Sequence, residues 1–126
     1  VVSRRKIVRP KFTCPISGFQ KLSNGKHKLR IVWALRNGPL WFGELKRQVS
    51  AFSEFSMSPR VLTRELSFFE EYGLIKKGAA TGPLGKVEYD LTDFGKKLIP
   101  LVTEICSWSK HHLDIIPPDQ EAGCAN

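Results

Sequence analysis

A mainly helical α+β domain with one small β-hairpin is the fold class the sequence predicts, and three observations predict it. Apolar residues recur at intervals of three and four through most of the chain. The period shortens to two after Gly73 and lengthens again after Leu91. Asn24-Gly25, Asn37-Gly38-Pro39 and Gly73 then cut the helical part into short lengths. With 126 residues there is enough chain for one domain and one core.

The elements follow in order. Residues 1–13 read as a basic arm without hydrophobic periodicity; it holds Arg4, Arg5, Lys6, Arg9 and Lys11 and no acid. Residues 14–113 form the domain. Pro15 starts a short helix with Ile16, Phe19 and Leu22 at helical spacing. A second helix is expected over 26–36, with Leu29, Val32, Trp33 and Leu35 inward and Lys26, Lys28 and Arg30 outward. Leu40-Trp41-Phe42 suits a short strand, and 43–49 a helix with Leu45 and Val49 buried and Lys46 and Arg47 exposed. A serine-rich connection, 50–57, leads to the next helix.

That helix, over 58–73, has a complete set of end signals. Ser58 can cap it, Pro59 suits its first position, and Gly73 ends it. At 100° per residue, Thr63, Arg64, Ser67 and Glu71 fall within about 60° of Arg60. Leu62, Leu66, Phe69, Tyr72, Val61 and Phe68 share the other side. Bases occupy the N-terminal half of the presented face and the acids Glu70 and Glu71 its last turn, a polarity that suits a helix entering a DNA major groove. Glu65 falls inside the apolar arc and calls for a basic partner at the edge of the core.

Strands are expected over 74–77 and 86–91, joined by a flexible turn over 78–85. Thr92 caps one long last helix in which Phe94, Leu98, Leu101, Val102, Ile105 and Trp108 or Ser109 recur. Trp108 leaves that helix with more apolar surface than a small domain keeps wet, which points to a partner helix from a second copy of the chain, the alternative being that the helix folds back on its own core. Residues 114–126 form an acidic tail expected to be disordered, with Pro117-Pro118 near its start.

A formal net charge of +8 and an isoelectric point near 9.7 favour an anionic partner, nucleic acid first and an acidic membrane surface second. With both ends removed, bases still outnumber acids. No apolar run reaches the length of a membrane span, and no signal-peptide core follows the basic arm; a cytoplasmic, nucleoid-associated protein is expected. Cys14, Cys106 and Cys124 are odd in number and far apart, which fits neither a secreted disulfide scaffold nor a zinc module. His111 and His112 point about 100° apart on a helix, so no metal site and no cofactor are expected. No catalytic constellation is present, and an enzyme is rejected.

Helix, helix, short strand, helix, basic helix, hairpin and long helix together describe a winged helix-turn-helix that dimerises through its terminal helices. Cys14-Pro15, Gly25-Lys26, Asn37-Gly38-Pro39, Phe42-Gly43-Glu44-Leu45, Ser58-Pro59-Arg60-Val61-Leu62-Thr63, Gly73-Leu74-Ile75 and the run from Val87 to Gly95 occur in that order. Together they resemble the HxlR-type transcriptional regulators over about residues 14–108. The most specific motif is V-E-Y-x-L-T-x-x-G followed by Leu98 and Pro100.

The resemblance implies a dimeric regulator of bacterial or archaeal type on palindromic operator DNA, often a repressor. It also implies that a cysteine at the place of Cys14 senses small electrophiles or oxidants, by alkylation or by a disulfide across the dimer to Cys14 or Cys106 of the other subunit. Two departures stand out: His27 replaces the family's usual tryptophan, and the connection from Leu45 to Ser58 is about one helical turn longer than the family pattern. Cys14 itself, beside Lys11 and just ahead of a helix, reads either as an activated thiol or as a small buried hydrophobe.

The expected DNA contacts are Ser58, Arg60, Thr63, Arg64 and Ser67 on the recognition helix and Lys46, Arg47, Lys76, Lys77 and Lys86 on the wing and backbone-facing elements. The expected dimer contacts are Ile16, Phe19, Leu101, Ile105 and Trp108. A winged-helix module that binds another protein and uses its charge only for solubility is the alternative. Membrane-surface attachment through the arm lacks a lipid anchor or a basic amphipathic helix.

Overall fold

Among the described residues, α1 (Pro15–Ser23), α2 (Lys28–Ala34), β1 (Leu40–Trp41), α3 (Phe42–Ser50), α4 (Pro59–Glu71), β2 (Ile75–Thr81), β3 (Lys86–Leu91), α5 (Asp93–Lys96) and α6 (Ile99–His112) follow in that order and build the winged helix-turn-helix. The computed structural model describes residues 11–25, 27–51, 57–81 and 85–115. The expectations for residues 1–10, Lys26, the middle of the 50–57 connection, the wing tip at 82–84 and the tail from 116 lie outside them.

α1 (Pro15–Ser23) begins at its proline and buries none of its residues. α2 (Lys28–Ala34) is the opposite case, with Ile31, Val32, Trp33 and Ala34 all buried. It is shorter than expected and has no solvated stripe, because α1, α3 and α6 pack around it. Lys28, expected outward, faces the interior. Gly38, at φ +135°, follows it in a conformation that side chains rarely adopt.

β1 (Leu40–Trp41) joins the wing strands in one sheet of order β1-β3-β2, pairing Leu40 with Tyr89 and Trp41 with Glu88. α3 (Phe42–Ser50) runs a residue further at each end than its periodicity suggested. Part of the long connection is therefore helix. Its far end is fixed by Met57, which is buried and donates its N–H to Ser50 Oγ at 3.0 Å.

The hairpin differs from expectation. β2 (Ile75–Thr81) passes straight through Gly78, Ala79 and Ala80 to pair with β3 (Lys86–Leu91), with an irregularity in register between Lys77 and Ala80. Small side chains cost a strand packing and do not stop it from pairing, so residues 78–81, expected in the turn, are strand.

The last helix is two helices. α5 (Asp93–Lys96) is capped by Thr92, whose hydroxyl accepts from Gly95 N–H at 3.0 Å, and α6 (Ile99–His112) starts after a break at Lys97 and Leu98. Pro100 explains it. A proline there has no N–H to give to the Lys96 carbonyl and its ring would crowd that carbonyl in a continuous helix.

The core lies where α2, α3, α4 and the base of the sheet meet. Ile31, Leu35, Leu45, Val49, Leu62, Leu66, Phe69, Leu74 and Leu91 are all essentially without solvent contact. Val102 is the residue α6 buries in it.

Candidate nucleic-acid interface

α4 (Pro59–Glu71) is tied at both ends. Ser58 Oγ accepts from Val61 N–H at 3.2 Å. At the other end Gly73, at φ +74°, donates to the Glu70 carbonyl while Leu74 donates to the Phe69 carbonyl at 2.8 Å. This is the paired closure that a left-handed glycine allows, and it satisfies carbonyls the helix would otherwise leave open. Thr92 then fastens the end of the wing to the same place, giving its hydroxyl proton to the Gly73 carbonyl and its N–H to the Leu74 carbonyl. The threonine and glycine of the T-x-x-G motif are thus explained by a joint between recognition helix and wing.

Leu62, Glu65, Leu66 and Phe69 are the buried side of α4. Arg60, Thr63 and Arg64 are exposed and Ser67 is half-buried one turn on along the same face, while Ser58 is exposed at the N-cap. Glu65 finds the partner its position required. Lys28 Nζ lies 3.0 Å from both carboxylate oxygens, with little of either side chain open to solvent. The same ammonium sits 4.5 Å above the Phe68 ring, which stacks in turn on Tyr72. Sequence periodicity missed Lys28; its one signal was the unpaired glutamate.

Of the expected backbone contacts, Arg47 is exposed and Lys46 half-buried. Arg47 and Lys86 meet at one cleft of about 210 Å³ whose other walls are Trp41, Phe42, Gly43, Glu44 and Val87. Lys86 Nζ is 4.4 Å from the Trp41 ring. Glu44 accepts the Trp41 N–H at 3.0 Å and closes the first turn of α3. Trp41 was read only as a strand residue, and the cation above its ring is what adds it to the site. Lys76 and Lys77 are both exposed, but consecutive strand residues point to opposite faces, so the wing presents one of them on each side. Tyr89, buried beneath, has its phenol pushed above the usual range by burial and then by Glu70.

Cys14 stands at the N-cap of α1 and is the free thiol among the described residues, Cys106 being disulfide-bonded. Its pKa is lowered, chiefly by the Ser17 backbone N–H, then by the Ser17 hydroxyl and the Ile16 N–H, with burial acting the other way. The helix start itself stabilises the thiolate, rather than Lys11. Cys106, on α6, packs half-buried against the core. Among the described residues no group of histidine, cysteine or acid is placed to hold a metal.

Among the described residues, most of the expected dimer contacts are apolar side chains open to solvent. Ile16 is 69% exposed, Trp108 57%, Leu101 43% and Ile105 38%, while Phe19 is half-buried. Phe12 extends the surface by lying over Gly18 of α1. No described helix is long and apolar enough to cross a membrane.

Comparison with known proteins agrees with this geometry. The HxlR-like helix-turn-helix family model matches residues 22–116. An uncharacterised HTH-type transcriptional regulator of Methanothermobacter thermautotrophicus is 31% identical over 99 residues, covering 79% of this chain and 72% of that one. The redox regulator HypR in its oxidized form superposes with a TM-score of 0.70 at 28% identity, over 81% of this chain and 100% of that chain. A MarR-family transcriptional regulator from Porphyromonas gingivalis W83 does so with a TM-score of 0.70 at 31% identity, over 84% and 99%. The relatives are transcriptional regulators and not enzymes. On its motifs, its winged helix-turn-helix and this match over most of its length, the chain belongs to the HxlR-like helix-turn-helix family of transcriptional regulators.

Proposed function

We propose that the protein is a two-fold dimer that binds inverted-repeat operator DNA and represses nearby genes in the cytoplasm, and that modification of Cys14 releases it. One observation carries this reading: α4 holds Arg60, Thr63 and Arg64 exposed on the half nearest its capped N-terminus, while its buried side is anchored in the core. Base-edge contacts come from that half of a recognition helix. Ser58 and Ser67 flank them, and Lys46, Arg47, Lys76, Lys77 and Lys86 supply phosphate contacts that set register without reading sequence. Ile16, Phe19, Leu101, Ile105 and Trp108 join the two copies, so that the paired helices read the two halves of the repeat.

The switch rests on the lowered thiol at the start of α1 and on the likeness to a redox regulator. A thiolate attacks an electrophilic carbon, or the sulfur or oxygen of an oxidant, more readily than a thiol does. Since α1 also bears Ile16 and Phe19, a group added to Cys14 alters the dimer contact and with it the spacing of the two recognition helices.

Selection of bound sequences from random duplexes tests the reading. A two-fold repeat should emerge, and affinity should fall steeply with salt as counterions are released. Arg60→Ala or Arg64→Ala should each lose about tenfold in discrimination at one base position; unchanged sequence preference in both refutes the placement of α4. Oxidant or quinone should release DNA from the parent and not from Cys14→Ser, and equal release from both removes Cys14 from the switch. Salt-insensitive retention of a protein partner, with no preferred sequence, would favour the interaction-module reading instead.

A further inference from the structure

We infer that Lys28 and Glu65 are a positioning pair that sets the rotation of the recognition helix and so its choice of bases; the inference rests on the DNA-binding reading above. Glu65 is 7% exposed, in the middle of α4 and on its inward side. Both its oxygens lie 3.0 Å from Lys28 Nζ, at the first residue of α2. The rest of the inward side, Leu62, Leu66 and Phe69, is hydrocarbon. Hydrocarbon contact is non-directional and tolerates a helix turning by some degrees about its axis. A carboxylate held by both oxygens does not.

Lys28 also grips the helix a second time. Phe68 lies three residues after Glu65, one turn along the same side, and its ring is 4.5 Å from the ammonium. One cation therefore touches α4 at two heights, which resists sliding as well as turning. An ion pair in this setting is weak evidence for a stability role, because apolar residues of similar volume often serve stability as well or better. What it adds is direction. Arg64 precedes Glu65 on the same helix and points about 100° away from it, so any turn at Glu65 is a turn of the reading face.

The test compares three proteins: the parent, the apolar replacement Lys28→Met with Glu65→Leu, and the reversed pair Lys28→Glu with Glu65→Lys. Melting establishes that each is folded, and each is titrated with the sequence selected by the parent and with a scrambled duplex at one salt concentration. The apolar replacement should melt close to the parent and bind the scrambled duplex as the parent does. Its ratio of selected to scrambled affinity should fall about tenfold, the worth of one well-made base contact. The reversed pair, which restores the ion pair without the Phe68 contact, should keep more of the ratio than the apolar replacement.

An apolar replacement that folds and keeps the parent's ratio overturns the positioning role and leaves the DNA reading intact. If that replacement does not fold, Lys28→Met alone decides: a folded Lys28→Met protein that keeps the parent's ratio overturns the inference. A parent that selects no sequence overturns the DNA reading and this inference with it.

Discussion

A methyl carbon added at Gly95 would lie 2.1 Å from the Leu74 carbonyl oxygen and 3.0 Å from its carbon. That oxygen already receives the Thr92 N–H. Neither side of the clash is a flexible side chain, so backbone must move, and overpacking of this kind costs about 1–3 kcal/mol. Gly95→Ala should therefore lower the unfolding free energy by that amount, seen as a lower urea midpoint, whereas Gly43→Ala, with nothing within 4 Å of the added carbon, should not lower it. Equal midpoints for both variants would refute the joint at Leu74. Sequence made Gly95 visible as part of a motif; only the distance says why no other residue fits.

At the scale of elements, the start of α1 makes a prediction about pH. A thiol whose folded pKa is depressed is a thiolate over a range where the unfolded chain still holds the proton. The associated stabilisation is present above the unfolded thiol pKa and disappears as pH falls through the lowered folded value. Alkylation of Cys14 by iodoacetamide, followed by peptide mass spectrometry, should show its midpoint at lower pH in the native protein than in the urea-unfolded one. Coincident midpoints would mean that the Ser17 and Ile16 N–H groups do not act on the sulfur.

Ends of elements were the most legible part of the chain, because capping chemistry is local. Ser58, Pro59 and Gly73 bound α4 as read, and Thr92 starts α5 as read. Three features were not legible, each for its own reason. β2 continues past Gly78 because pairing with β3 outweighs the poor strand propensity of Gly-Ala-Ala. The last helix breaks because Pro100 acts on the Lys96 carbonyl one turn before it. Lys28 turned inward because of Glu65, thirty-seven residues later in the chain, and periodicity within a window cannot see such a partner. The exposed basic face of α4 was visible for the converse reason: one helix carries it all.

For the whole molecule, the apolar surface of α1 and α6 is the feature to test. Replacing Trp108 or Ile105 with glutamate should place a charge in the proposed dimer contact and convert the protein to a monomer at micromolar concentration in analytical ultracentrifugation. Selected-sequence binding should weaken at least tenfold, because the two half-sites would then bind separately. A Trp108→Glu protein that remains dimeric would place the contact elsewhere. Lys110, on the same helix, is exposed, and Lys110→Glu serves as the control for charge alone.

The joint at Gly73 and Leu74 has a mechanical consequence. α5 is bolted there, next to the foot of the recognition helix, and α6 leaves α5 at the bend before Pro100. In the proposed two-fold pair the bend would act as the set-square of the assembly, the reach from one groove to the next being measured through α5 and α6. Straightening the bend with Pro100→Ala would re-gauge that reach, so an operator lengthened or shortened between its half-sites could fit the variant better than the original one.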